Sequence, residues 1–418
     1  MDDKRPLRMI MIGGWTGIYQ RARACGLEVT LVQEKDKVKP EDLAYIAELI
    51  TSPLDDPAVL ELIDILHRRQ PYDAVVSFQE MGILTAAMLK ERLNLPGNPL
   101  FPVLTTRDKA KMRAYMKEKQ FPSVPFEIVS ETEEVLRFIE EHQLPVILKP
   151  SYGTGSAQIY KITDTGQIAP ALGLIQAAYT GGDILVEKFI EGREISVEGF
   201  TWNGKHTMIA VTDKFTTGAP NFVETGHNMP SSLPDSQAEE AKRLTEALMD
   251  LIGHQFGPSH TEIIVAEDGM YIVETHTRVG GDYIFEMVER VYGFDLFTQT
   301  FNGFLSGEPN LSSEFTGQAA AIRYLQLPPG EVAALDGVQE AELLPGVVRC
   351  QVDVQPGQRT KPFTKSMERN GFILAQGSTV QDAVETVEEA WSRIRIDVRP
   401  LPQAVGRERE DAPDEVPC

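Results

Sequence analysis

Cysteine is scarce in this chain: Cys25, Cys350 and Cys418 are the three present, and they lie far apart. Neither a disulfide framework nor a zinc-ligand spacing can be built from them, and such usage fits a reducing cytosol. Long apolar runs are missing as well. Met9–Ile12 is too short for a signal-peptide core, and no stretch approaches the roughly 18 apolar residues of a membrane span. A soluble, cytoplasmic protein is expected. Positive charge is outnumbered, with 40 Lys and Arg against 62 Asp and Glu, a net charge of −22. That balance argues against nucleic acid or an anionic membrane as a partner, since either calls for a basic surface. A local cluster of lysines and backbone N–H groups can still hold a nucleotide phosphate.

What is present is globular. Hydrophobic residues make up 42% and charged residues 24% of 418 positions, with no low-complexity tract and no internal repeat. That length accommodates about three domains. Residues 8–33 read as strand, glycine turn, helix, strand, and Asp73–Phe78 is a further apolar strand before a helix over Gly82–Leu93. This alternation predicts a small α/β domain with a parallel sheet over residues 1–105. The turn Gly13-Gly14-Trp15-Thr16-Gly17 matches a dinucleotide fingerprint poorly; a tight strand-to-helix turn near a substrate is the favoured reading.

A connecting helix is expected over 106–125, within a helical stretch Thr105–Lys119. A compact strand-and-helix unit follows over 126–200, and a larger domain over 201–400 with helices at 237–253, 284–305 and 379–396. The acidic segment 401–418 reads as a disordered tail. The class is α/β, turning to α+β in the central and C-terminal parts.

Between Glu262 and Arg278 the chain reads E-I-I-V-A-E-D-G-M-Y-I-V-E-T-H-T-R. Two apolar runs flank Glu267-Asp268-Gly269, the composition of a hairpin with a three-residue loop. That loop pairs Ala266 with Met270 and sets Glu262 opposite Glu274. With side chains alternating, Glu262, Glu274, His276 and Arg278 then share one face. Facing carboxylates repel, so a cation between them is implied. Two alternatives stand beside this reading. Arg278 alone can neutralise a solvated face, and a two-residue Asp-Gly loop puts the glutamates on opposite faces.

Three other segments carry chemistry. Lys149 ends an apolar strand and leads into Pro150-Ser151-Tyr152-Gly153-Thr154-Gly155-Ser156, small residues that let backbone N–H groups approach a phosphate. Asp183–Glu194 is a strand and charged turn whose backbone can meet an adenine edge and whose carboxylates can hold a ribose. Glu224-Thr225-Gly226-His227 places a histidine among small residues, where it can donate to an anionic oxygen.

In this order, Asp108-Lys109, Lys149 with its loop, Glu187–Glu194, Glu224–His227 and Glu262…Glu274-x-His-x-Arg278 resemble the ATP-grasp superfamily. The resemblance spans about residues 8–400. Within it the chain is most similar to carboxylate–amine ligases of the L-amino-acid ligase type, and Pro345-Gly346-Val347 and Arg369–Ile373 resemble that branch's C-terminal part. The resemblance implies a three-domain ATP-grasp architecture with ATP and Mg2+ as cofactors, Mn2+ being an alternative. It gives Lys109, Lys149 and the loop Ser151, Gly153, Ser156 to the ATP phosphates. It gives Glu187, Lys188 and Ile190 to adenine, Glu194 to the ribose and Glu262 and Glu274 to the metal. Arg278 would stabilise an acyl-phosphate, with Glu224 and His227 beside the acyl substrate. The family's usual Asn two residues after the second Glu is His276 here, a poor ligand for a hard cation.

Beyond those motifs, Gly281 permits close approach of a substrate, and Asp282 and Glu80 are candidates for holding a substrate ammonium. The implied reaction joins a carboxylate to an amine through an acyl-phosphate, with small-molecule substrates. Two acceptors or acids compete with this: a carrier-protein thiol, disfavoured because both proteins would be acidic, and bicarbonate, as in biotin carboxylases. A homodimer is common among similar proteins.

Overall fold

The computed structural model describes residues 5–153, 158–179 and 181–401. The opening alternation of strand and helix builds a four-stranded parallel sheet in the order Glu48–Thr51, Glu28–Gln33, Arg8–Ile12, Ala74–Val76. Arg8–Ile12, at its centre, is buried throughout, as a parallel strand covered on both faces requires. Gly13 (φ +72°) has no room for a side chain, since a Cβ there would come within 2.3 Å of Gln79. The Gln79 side chain accepts from the Gly14 N–H. The glycine turn therefore closes onto the residue before Glu80.

A second sheet holds Phe126–Val129, Ile184–Lys188, Val146–Pro150 and Tyr160–Ile162, all antiparallel. Helices Thr132–His142 and Ile168–Ala178 cover it, packing Val135, Phe138 and Ile175 onto Leu148 and Val186. The strand Arg193–Trp202 was expected to close this unit at residue 200. It belongs instead to the next sheet, paired with Lys205–Thr216 on one side and Phe256–Ala266 on the other.

That third sheet has eight antiparallel strands, in the order Gly269–His276, Phe256–Ala266, Arg193–Trp202, Lys205–Thr216, Glu224–Met229, Ala319–Tyr324, Gly371–Gly377, Val347–Val352. A three-stranded sheet of Arg359–Thr360, Gly330–Asp336 and Arg395–Arg399 completes the architecture.

Two stretches expected as single helices are each broken. Leu100–Arg107 and Lys109–Glu118 meet at Asp108, which is extended and accepts from the Ala110 and Lys111 N–H groups. A carboxylate that caps a new helix cannot continue the old one. Ile284–Tyr292 ends at left-handed Gly293 (φ +63°), and Asp295 caps Leu296–Ser306. The helix expected to reach residue 396 ends at Arg393.

One apolar cluster joins the first sheet to the third: Met9, Leu31 and Phe78 pack with Phe200, Phe297 and Ile322. The first domain is thereby fixed against the large sheet, which positions Glu80. No described helix is long and apolar enough to cross a membrane. Residues 402–418 of the acidic segment lie outside the described residues.

Candidate active site

The hairpin differs from expectation in its loop and agrees in its outcome. Ala266 pairs with Gly269 and Val265 with Met270, so the loop has two residues, Glu267 and Asp268, and Gly269 takes φ +151°. Alone, that register would set Glu262 opposite Val273. Between Glu262 and Ile263 the register shifts, so that Ile263 pairs with Ile272 while Glu262 pairs with Glu274. Val273 is the extra residue of a β-bulge. One short loop and one bulge restore the parity a three-residue loop would have given. Glu262, Glu274, His276 and Arg278 all line one cavity of about 260 Å3.

Each facing carboxylate carries a lysine. Lys214 lies 2.7 Å from Glu262, and Lys109 lies 2.8 Å from Glu274. Burial opposes charge on Lys109, but Glu274 outweighs it and raises its pKa. Both glutamates stay ionised against burial, Glu262 through Lys214 and Glu274 through Lys109. Each is also held by a histidine. His260 Nε2 is 3.4 Å from Glu262 and its Nδ1 is 2.9 Å from Glu198. His276 Nε2 is 3.1 Å from Glu274 and its Nδ1 is 3.1 Å from Glu80. Burial disfavours charge on His260, yet Glu198 brings its pKa up to about 9.

Lys109 is the first residue after the Asp108 cap, and its Nζ also donates to the Gly153 carbonyl at 3.3 Å. Lys149 is buried, 2.6 Å from Glu187, whose other oxygen accepts from Arg113 at 2.9 Å. Burial, with repulsion from Arg113 and Lys109, lowers the Lys149 pKa. Arg113 also donates to the Val273 carbonyl at 2.6 Å, tying the bulge to this cluster. The Glu187 side chain is thus engaged with cations. The apolar end of the cavity beside it is formed by Ile147, Ile159, Phe189, Ile190 and Phe222, with Lys188 at its edge.

Glu194, Glu224, Gly281 and Asp282 also reach the lining. Burial raises the pKa of Glu194. Glu224 lies 3.4 Å from Lys214 and accepts from Ser366. Asp282 takes two hydrogen bonds from Arg369, at 2.9 and 2.5 Å, and lies 3.0 Å from His227. These partners hold its pKa well below the usual range despite burial. Asp282 therefore lines the cavity inside a neutralised cluster, not as a free carboxylate.

Several expected residues do not reach the cavity. His227 sits in the middle of its sheet, is 2% exposed and lies behind Asp282. Glu80 also lies behind the wall, where it accepts from Arg278 at 3.0 Å and lies 3.4 Å from Arg107. Its carboxyl is held at about 2, against burial, by His276 and Arg278. Ser151 is fully buried, and its backbone N–H bonds the Asp183 carbonyl while its own carbonyl accepts from Lys109. It braces the loop instead of facing a ligand. Ser156 lies outside the described residues.

Sequence reasoning missed Lys214, His260, Glu198, Arg113, Arg107 and Arg369. Arg369 falls in the segment Arg369–Ile373 noted for its resemblance, which assigned it no role; the others sit in no recognisable motif. The signal available for Lys214 was an ionisable residue directly after the buried strand segment Ile209–Asp213.

Glu262 and Glu274 offer facing carboxylate oxygens on the cavity wall, a donor set that suits a hard divalent cation. Among the described residues no three His, Cys, Asp or Glu side chains form a ready metal cage. The remaining ligands of a bound cation would come from phosphate and water.

Comparison with known proteins agrees with this geometry. Family models match for an ATP-grasp N-terminal domain over residues 19–97, an ATP-grasp domain over 142–286 and an L-amino acid ligase C-terminal domain 2 over 323–399. The chain is similar to the L-arginine-specific L-amino acid ligase of Bacillus subtilis, at 23% identity over 361 residues, 84% of this chain and 86% of that one. It is 25% identical over 298 residues to the alanine–anticapsin ligase of Bacillus subtilis strain 168, covering 64% of this chain and 62% of the other. In fold it matches the crystal structure of L-amino acid ligase from Bacillus licheniformis with a TM-score of 0.81 at 20% identity, over 95% of this chain and all of that one.

Proposed function

This chain belongs to the ATP-grasp superfamily and is an ATP-dependent, ADP-forming carboxylate–amine ligase similar to the L-amino-acid ligases, and from that premise we propose that it activates the carboxylate of an amino acid. One observation carries the assignment of the site. The facing pair Glu262 and Glu274, the lysines Lys109, Lys149 and Lys214, and Arg278 converge on a single cavity.

The first half of the reaction brings a carboxylate to the γ-phosphate of ATP, anion to polyanion, so neutralising charge is the main requirement. The apolar pocket of Ile147, Phe189, Ile190 and Phe222 receives adenine, with the backbone of Glu187–Ile190 at its edge and Glu194 at the ribose. Lys109 and Lys149 meet the phosphates, and the loop through Gly153 covers them. A divalent cation on Glu262 and Glu274, Mg2+ by its preference for oxygen, would supply further positive charge at the phosphoryl oxygens. Arg278, oriented by Glu80, offers a planar fork to the acyl-phosphate. The amine then attacks the acyl carbon and phosphate leaves. Glu80 and Asp282 hold Arg278 and Arg369 in place, a role their ion pairs favour over direct capture of a substrate ammonium.

The test is to incubate the protein with ATP, Mg2+ and pools of amino acids, following phosphate release and product mass. Release that depends on two amino acids, with a dipeptide formed, supports the proposal. Release that requires a carrier protein or bicarbonate would replace it.

A further inference from the structure

A second cavity, of about 50 Å3, lies outside the site described above, in the seam between the first domain and the large sheet. Its walls are mostly apolar. Phe78 and Ala86 come from the first domain, Phe256 and Pro258 from the large sheet, and Phe304 from the helix Leu296–Ser306. Asn98 pins the seam: it donates to the Phe256 carbonyl at 2.7 Å and accepts from the Gln255 and Phe256 N–H groups. The walls are thus held by contacts that do not depend on a ligand.

Two polar groups enter this lining with bonding capacity unfilled. Thr277 follows the strand Gly269–His276. Its neighbours His276 and Arg278 line the catalytic cavity, whereas Thr277 lines this one. It is 4% exposed, and its Oγ1 has no hydrogen-bond partner among the described residues. A buried hydroxyl left unbonded costs stability, and the cavity is where a partner can reach it. Lys90 is the one charged side chain among the described residues that line the cavity. Its ammonium lies 3.3 Å from the half-exposed carboxylate of Glu91, a surface pair that contributes little.

Both groups can donate, and one carboxylate matches them, with an oxygen for each and a short apolar tail against the aromatic rings. Size narrows the class. A cavity of about 150 Å3 holds benzene, so this one encloses only a few non-hydrogen atoms, as in acetate or propionate. The place of the cavity gives such a ligand a consequence. The helix Glu80–Leu93 carries Glu80 at its start and Lys90 near its end, and Thr277 directly precedes Arg278. Glu80 and Arg278 already bridge the helix and the strand end at 3.0 Å. A carboxylate between Lys90 and Thr277 adds a second bridge between the same two elements.

We propose that this seam cavity is an effector site for a small aliphatic monocarboxylate, and that its occupancy steadies the Glu80–Arg278 pair and raises turnover. The binding half stands apart from the ligase reading; the coupling half is read through it.

Sodium propionate is the probe, with sodium chloride at equal ionic strength and propionamide as the uncharged control. Saturation-transfer NMR gives the Kd, and turnover is followed at saturating MgATP and amino acids. Wild type should bind propionate with a Kd of about 1–10 mM and propionamide about tenfold more weakly. Ala86→Leu, which fills the cavity, should abolish binding. Thr277→Val, which keeps the shape and removes the hydroxyl, should weaken it by about tenfold. Wild-type turnover should rise along the same binding curve, and Ala86→Leu should not respond. Absence of saturable binding up to about 100 mM would overturn the proposal. So would binding unchanged in Ala86→Leu, which places the anion in the catalytic cavity. Should Ala86→Leu fail to fold, Thr277→Val decides: a Kd within about twofold of wild type overturns the site. Binding as expected with turnover unchanged overturns the coupling and leaves the site standing. A wild-type protein that releases no phosphate with any acid sinks the ligase reading instead, and propionate binding still tests this cavity.

Discussion

Arg278 and Glu80 are 198 positions apart and form one functional unit: Arg278 Nε donates to the Glu80 carboxylate at 3.0 Å. An arginine held this way needs little reorganisation to meet an anion. Arg278→Ala should therefore lower kcat by about 10^3-fold while the Kd of a non-hydrolysable ATP analogue changes by less than about threefold. Steady-state kinetics and a binding titration check both halves. Glu80 also carries a stability consequence. Its carboxyl is lowered from 4.5 to about 2, so its contribution is complete above pH 4.5 and is lost as pH falls towards 2. The full shift is worth up to about 3 kcal/mol. Urea unfolding between pH 6 and pH 3 should show this loss, and Glu80→Gln should fall less over the same range. An equal slope in the variant would contradict the ion-pair account.

At the scale of elements, the helix Lys109–Glu118 does more than present Lys109. Through Arg113 it binds Glu187 of the second sheet and the Val273 carbonyl at the hairpin bulge. Arg113 is fully buried, so removing it leaves Glu187 with Lys149 alone. Arg113→Met should cost about 3–5 kcal/mol by denaturant unfolding. Adding Glu187→Gln should recover part of that loss, since the two positions share one network. The hairpin also marks how far local reading reaches. Gly269 and the flanking apolar runs were legible as a turn between strands. The bulge at Val273 was not: its carbonyl is held by Arg113, from a distant segment, and that contact leaves no local signal. The helix breaks at Asp108 and Gly293 were readable in principle, since a capping carboxylate and a left-handed glycine are local features. Apolar spacing continuing past them obscured both.

For the molecule as a whole, the placement of Glu80 depends on how the first domain seats against the large sheet. Phe297 is central to that seat, with ring centroids 4.9 Å from Phe78 and 5.6 Å from Trp15. Phe297→Ala should destabilise by about 3–5 kcal/mol. If the seat loosens, turnover should fall more than nucleotide binding does, because Glu80 steadies Arg278. Turnover per folded molecule equal to wild type would separate the seat from catalysis. The sequence by itself determined the class of sheet in the first domain, Lys149 at a strand end, and the presence of two glutamates and an arginine at one hairpin. These follow from periodicity, turn chemistry and motif order, all properties of neighbouring residues. Tertiary structure alone decided which charges meet. Lys214 reaches Glu262, His276 reaches Glu80, and Arg369 reaches Asp282, while His227 is withdrawn behind Asp282. Ion pairs between distant segments depend on how sheets and domains pack, and that packing is specified by the whole core rather than by any stretch of chain.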